Sequence, residues 1–248
     1  MIAIELRFPT GKLHATPWGR QVNEGAVEWP PSPWRIVRAL VAVWHNKFPD
    51  TPQSEIEPLI QALLDLPSFH LPPAAQGHTR HYMPIANNNT SKIFDTFVVL
   101  PRLEPVVACW FRASLDKNQR ILLSKLLAAM SYFGRAESWV DARLLDEWSG
   151  TPNATPLNGH GVAPGQHLER LLAPDDAETF ANWRSDALSR RENDLLEDER
   201  RKAKAKGKSS DSVKLSPSDR KKAAATIPES LFQALHAETN DLRKAGWN

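Results

Sequence analysis

Tryptophan and arginine are crowded into one loop of this chain, which reads HATPWGRQVNEGAVEWPPSPWRIVRAL between His14 and Leu40. Trp18, Trp29 and Trp34 can each cover a large apolar area or stack on a base. Arg20, Arg35 and Arg38 carry guanidinium forks that stay charged at any physiological pH. Planar rings beside such forks suit single-stranded nucleic acid. A second use competes with that one. Arg35 and Arg38 lie three apart on a predicted, mostly apolar helix, where a desolvated arginine needs an anionic partner. That partner is either a phosphate or an internal carboxylate such as Glu24 or Glu28.

HTRHYMP, His78 to Pro84, holds a further constellation. Strand alternation puts His78, Arg80 and Tyr82 on one face, an imidazole, a cation and an aromatic ring in a line on which RNA can lie. The alternative is an edge strand with Tyr82 turned into the core and Arg80 solvated. His78 and His81 do not read as a metal pair, because residues three apart on a strand point to opposite faces and no Cys or acidic ligand stands at ligand spacing. Metal-free RNA cleavage needs a base for the 2′-hydroxyl, an acid for the leaving oxygen and a cation for the phosphorane. His14, His81, Tyr82, Tyr132 and Lys92 supply those chemical types, but their spacing does not assemble them. FGRAESW, Phe133 to Trp139, offers Arg135 after a glycine suited to a left-handed turn, with Glu137 as a candidate anchor. GKSS at Gly207 to Ser210 is no phosphate loop, since Lys202 stands where a Walker motif needs its first glycine.

The elements that must position these groups follow from periodicity. Ile2, Ile4, Leu6 and Phe8 alternate with Ala3, Glu5 and Arg7, which predicts an opening strand. Ser32 and Pro33 suit the N-cap and first position of a helix through WRIVRALVAVWHNK. A second helix is expected over Glu55 to Leu64, stopping at Pro67. Short strands are expected at Phe69 to Leu71, His78 to Pro84, Phe94 to Leu100 and Pro105 to Phe111, with a hairpin turn at Asn87 to Asn89. A further helix starts near Ser114, carries Leu122, Leu126, Met130 and Phe133 on one face, and ends at Gly134. SWVDARLL is the last strand. The order strand, helix, strands, helix, strand predicts an α+β, ferredoxin-like (RRM-like) domain with β-hairpin insertions.

Residues 1–150 are read as that domain. From Thr151 a Gly-, Pro- and Asn-rich connector leads into a helical start that dissolves into a basic, low-complexity run with Lys202, Lys204, Lys206, Lys208, Lys221 and Lys222, expected to be mobile or to fold on a partner. This second segment spans 151–226. A helix opening at Pro228 belongs to a third, 227–248, so the domain carries a helical C-terminal extension. The chain stops at Trp247-Asn248 after a glycine, an ending that reads as a cut.

Composition bounds the rest. A net charge of +2 and a pI near 8.7 are too mild to mark a nucleic-acid binder, so any such surface must come from local clustering. The single cysteine, Cys109, excludes an internal disulfide and a cysteine-built zinc knuckle. No apolar leader and no long apolar run is present, so a cytoplasmic location and no membrane association are expected. No cofactor and no metal are expected.

RFPTGKLHATPWGR at Arg7 to Arg20, NEGAVEWPPSPWRIVRAL at Asn23 to Leu40, GHTRHYMP at Gly77 to Pro84, FDTFVVL at Phe94 to Leu100 and FGRAESWVDARL at Phe133 to Leu144 resemble the N-terminal, Cas-five-like half of the CRISPR-associated Csb two family. This is the fused Cas-five and Cas-six subunit of the type I-G, formerly I-U, Cascade effector. The resemblance covers about the first 145 residues strongly and continues to GWN. It implies a domain of the RAMP superfamily that holds the 5′ handle of the CRISPR RNA (crRNA) in antiviral defence. It also implies contact with backbone (Cas-seven-like) and large (Cas-eight-like) subunits, and with target DNA through the assembled complex. The hairpin near Asn87 to Ser91 corresponds to a thumb that caps the guide. Family members continue into a Cas-six-like endoribonuclease half, which this chain does not reach. The expected role is therefore non-catalytic RNA binding by His14, Trp18, Arg20, Arg35, Arg38, His78, Arg80, Tyr82, Lys92 and Arg135. The alternative is a metal-independent precursor CRISPR RNA endoribonuclease using His14, His81 and Tyr82.

Overall fold

The computed structural model describes residues 1–21, 24–86, 89–157, 161–207, 209 and 213–237. They form two compact units, Met1–Pro174 and Asp175–Asn248.

The first unit is built on a four-stranded antiparallel sheet. Its strands are β1 (Ile2–Arg7), β3 (Ser68–His70), β6 (Val106–Trp110) and β7 (Asp141–Leu145), in the order β3-β6-β1-β7. With α1 (Pro33–Lys47) following β1 and α3 (Lys117–Ala128) following β6, that is the ferredoxin-type order of an α+β domain. Alternation explains the burial. Ile2, Ile4 and Leu6 lie on one face with Ala108 and Trp110, all fully buried. Ala3 and Cys109 lie on the other, under Leu145 and Trp148. Burial pushes the Cys109 thiol up to about 11, so it behaves as a small apolar group.

The helices supply the rest of the core. Ser32 caps α1, its hydroxyl accepting from Arg35 N at 3.3 Å, and Pro33 stands at the first position. α1 buries Ile36, Val37, Leu40, Val41 and Trp44, each worth about 1.5–3 kcal/mol for an aliphatic side chain. α2 (Gln53–Gln61) is shorter than the spacing predicts. It gives way to a turn whose Leu63 and Asp65 carbonyls both accept from Trp110 Nε1.

α3 corrects two expectations. It begins at Lys117 behind Asp116, which forms a capping box with Gln119, rather than near Ser114. It also stops at Ala128. Ser131 to Val140 instead fold back as a tight antiparallel turn, with Phe133 N donating to Ser138 O at 3.0 Å and Val140 N to Ser131 O at 3.2 Å. The buried stripe of α3 is Leu123, Leu126 and Leu127, continued by Met130, while Leu122 lies at its margin.

Between β3 and β6 the chain makes a long ribbon, β4 (Ala75–Pro84) against β5 (Thr90–Val99), joined at its foot by β2 (Lys12–Leu13) in the order β2-β5-β4. Asn87 and Asn88 of its expected turn lie outside the described residues. The stretch read as a connector is attached to this first unit, since Phe69 N donates to Ala154 O at 2.7 Å and Trp34 N to Leu172 O at 3.3 Å.

The second unit is helical. α4 (Ala177–Ala205), capped by Asp176, continues through Lys202 and Lys204, so the first part of the basic run is helical within the chain itself, where a segment mobile or folding on a partner is expected from the sequence. α5 (Pro217–Ala225) starts at a Ser216–Asp219 capping box, and α6 (Leu231–His236) is capped by Ser230. Among the described residues of this unit, Ala223, Ile227, Phe232 and Leu235 are buried. Residues 238–248, which include the second half of the expected last helix, lie outside the described residues. No described helix is long and apolar enough to cross a membrane.

Candidate nucleic-acid interface

β4 is exposed along almost its whole length, and the register of the ribbon sorts the candidate residues. Arg80 stands opposite Phe94, Tyr82 opposite Lys92 and His78 opposite Thr96. One face therefore carries His78, Arg80, Tyr82, Lys92 and Phe94. The His78 ring lies parallel to Phe94, centroids 5.0 Å apart and planes 15° apart, and the Arg80 guanidinium sits over the same ring at 5.3 Å. Tyr82 is 67% exposed. It is not turned into the core, although β4 is an edge strand and Arg80 is exposed, as that alternative has them. The Trp-rich loop meets the foot of this face at Gly25, where φ is 69° and the carbonyl accepts from Gln76 Nε2 at 3.2 Å.

The opposite face is organised by a residue the sequence did not single out. Asp95, its side chain 14% exposed, takes Arg135 Nη1 on Oδ1 at 3.2 Å, with His14 Nε2 at 3.9 Å from the same oxygen and His81 Nδ1 at 3.5 Å from Oδ2. His14 is buried. Its Nδ1 meets Glu137 Oε1 at 2.6 Å, and its backbone N donates to Ser138 Oγ at 2.7 Å. Burial acts to raise the Glu137 carboxyl, but its own backbone N–H, the His14 ring and the nearby Lys12 outweigh it and hold the group below the usual glutamate range.

Gly134 makes this approach possible. Its φ is 88°, and a Cβ there would stand 2.6 Å from the His14 carbonyl, the same carbonyl that accepts from Arg135 N at 2.9 Å. Gly77 plays a similar part on the ribbon, where a Cβ would meet the Phe97 ring at 2.8 Å. That ring lies across the strand beneath Lys12 Nζ, 4.0 Å from its centroid.

Several expectations change on this geometry. His14 is closed off from solvent between two carboxylates, so it cannot touch RNA or reach a 2′-hydroxyl as an exposed base. Arg35 is committed internally. Its Nε and Nη2 donate to Glu28 at 2.7 and 2.9 Å, and Nη2 also donates to Thr16 O at 2.7 Å, so the carboxylate alternative describes it. Arg20 pairs with Glu24 at 3.1 Å at the surface, and Glu24 sits below its usual range through the Gln21 backbone N–H first and Arg20 second. Arg38 and Trp18 are half-buried. The catalytic trio of the enzyme alternative is not assembled, because His14 and His81 converge on Asp95 while Tyr82 stands on the other face. Among the described residues no group of three His, Cys, Asp or Glu is placed to hold a metal ion.

Sequence reasoning missed Asp95 and Phe94 as organising residues and gave Glu137 the wrong partner. A lone carboxylate in the apolar strand FDTFVVL was the available signal for Asp95.

No protein-family model matches the chain, and no curated protein matches it. Among solved structures, Thermus thermophilus Cas6 aligns at 19% identity and a TM-score of 0.28, covering 58% of this chain and 53% of that one. The chain thus spans about half the length of that structure.

Proposed function

We propose that this chain binds single-stranded RNA on the β4–β5 ribbon and serves as a CRISPR RNA-binding subunit of a type I-G Cascade effector, of the RAMP kind. The observation that carries the reading is the exposed face on which His78 and Arg80 bracket the Phe94 ring while Tyr82 and Lys92 continue the line. Bases stack on rings of this sort at about 1–3 kcal/mol each. Arg80 and Lys92 supply cations for the phosphates between them. The sequence resemblance of the first 145 residues supports the choice of a guide RNA, its 5′ handle, and backbone and large subunits as partners. The proposed phosphate ligands are Arg80 and Lys92, with Tyr82 as the stacking platform and Phe94 as the ring that holds His78 and Arg80 in line.

Co-expression with a repeat array, purification through a tag on this chain and sequencing of both ends of the bound RNA tests it. A uniform 5′ end derived from the repeat is the expected result. Heterogeneous cellular RNA, or none, overturns the guide assignment.

A second reading is favoured by one observation. His81 is the exposed imidazole of the Asp95 cluster, with Arg135 beside the same carboxylate. An acid–base histidine next to a phosphorane-stabilising cation is a metal-independent ribonuclease arrangement. Cleavage of repeat RNA in chelator, lost in His81→Ala, is its signature; no cleavage by the wild type removes it.

A further inference from the structure

Charge is unevenly distributed along this chain. From Arg200 to Lys222 there are ten Lys and Arg against two Asp, a balance of +8 in 23 residues, whereas the whole chain carries +2. These cations sit largely on ordered helices. Arg200 and Lys204 lie in the last turns of α4, Lys206 at its C-cap, and Arg220 and Lys221 on α5. α4 packs on α5, and Lys202 of the first feels Asp219 of the second, so the two groups share one end of the helical unit.

Pairing does not account for them. Arg201, Lys202 and Lys222 are matched by Asp198, Glu199 and Asp219. Arg200, Lys204, Lys206, Arg220 and Lys221 are exposed and make no side-chain hydrogen bond or ion pair among the described residues. The helix dipole favours a cation or two in a last turn, but it supplies only partial charge and does not call for this density. Like charges so close repel, and an anion along the surface relieves them.

We infer that this end of the helical unit binds the phosphate backbone of duplex DNA without reading its sequence. The choice of duplex rests on what accompanies the cations. Single-strand sites interleave cations with aromatic platforms, and no aromatic residue occurs between Arg200 and Lys222. Membrane-surface helices set a broad apolar face against their cations, and Val213 and Leu215 are the only large aliphatics in the stretch. A duplex hides its bases and presents about one charge per 1.7 Å of axis, which a surface of cations alone can use. The inference is independent of the ribbon and of its RNA.

The test is anisotropy of the full chain with a labelled duplex DNA of unrelated sequence, between about 50 and 200 mM salt, with single-stranded RNA of equal length in parallel. The wild type is expected to bind the duplex with affinity falling steeply with salt. Replacing Arg200, Lys204, Lys206 and Lys221 together by Gln is expected to cost about tenfold or more at low salt and to reduce the log–log slope by about 3 to 4. These positions are exposed and Gln is a good helix former, and circular dichroism checks the helix content. The pair Arg220→Gln and Lys221→Gln gives a milder second variant with the same direction. Arg80→Gln with Tyr82→Ala, on the ribbon, is expected to leave duplex binding unchanged. No duplex binding by the wild type, an unchanged slope in the fourfold variant, or tighter binding of RNA than duplex that is lost in the same variant overturns the proposal.

Discussion

Asp95 in the middle of β5 accepts a hydrogen bond from Arg135 Nη1 at 3.2 Å, across 40 residues of chain. The contact ties the Ser131 to Val140 turn, which leads into the four-stranded sheet, to the ribbon that carries the exposed aromatic face. Since Arg135 N also donates to the His14 carbonyl and Glu137 holds the His14 ring, three separate segments are clamped at one place. Isolated two-stranded ribbons are marginal in water, so a clamp of this kind midway along β5 is what gives this one a defined direction.

Asp95→Ala removes the shared acceptor and leaves Arg135 and His81 without their carboxylate. A loss of about 1–3 kcal/mol is expected, read from urea unfolding, together with faster amide exchange along β4 and β5. Unchanged exchange would mean the ribbon is held by β2 alone.

Arg35→Ala strands the carboxylate of Glu28, a residue 4% exposed. The expected cost is about 3 kcal/mol, because one partner of a desolvated pair is left behind. The double variant Arg35→Ala with Glu28→Gln recovers part of it. RNA retention per folded molecule stays at the wild-type level, which separates this arginine from those proposed to hold phosphate.

Gly134→Ala forces a side chain into a left-handed backbone against the His14 carbonyl. Destabilisation of about 1–3 kcal/mol or more is expected from thermal unfolding. Gly19→Ala is the control, since the φ there is similar at 77° but the space around it is open, so it costs less.

Glu137 titrates below its ordinary value in the folded state, so its contribution to stability is present above the unfolded-state pKa of about 4.3 and is lost as pH falls through the lower folded value. In Glu137→Gln the dependence of melting temperature on pH below about 4.3 is expected to be shallower than in wild type, while above it the variant is uniformly less stable. Parallel curves would deny the link between Glu137 and His14.

Much of the sheet was legible because its determinants are local. The alternation of Ile2, Ile4 and Leu6, and the Ser32-Pro33 start of α1, act within a few residues, and the order of elements then leaves few topologies. The end of α3 was not legible. LLAAMSYF is apolar enough to continue a helix, and only the pairing of Ser131 with Val140 and Phe133 with Ser138 turns it into a β-type fold-back. The Asp95 cluster was hidden for a similar reason. It joins His14, His81, Asp95, Arg135 and Glu137 over more than 120 residues, and no spacing encodes that. The length of α4 was missed because past Leu196 its only apolar residues are alanines, Ala203 and Ala205. An Asp176 cap, close Arg201–Asp198 and Lys202–Glu199 pairs and packing on α5 sustain it instead.

The most direct measurement is ultraviolet cross-linking of the chain to its co-purified RNA, followed by mass spectrometry of the adducts. RNA binding on the ribbon predicts that the adducted peptides contain Tyr82 and that Tyr82→Ala with Arg80→Gln removes them. Adducts confined to other peptides, with that double variant retaining RNA as the wild type does, would contradict it.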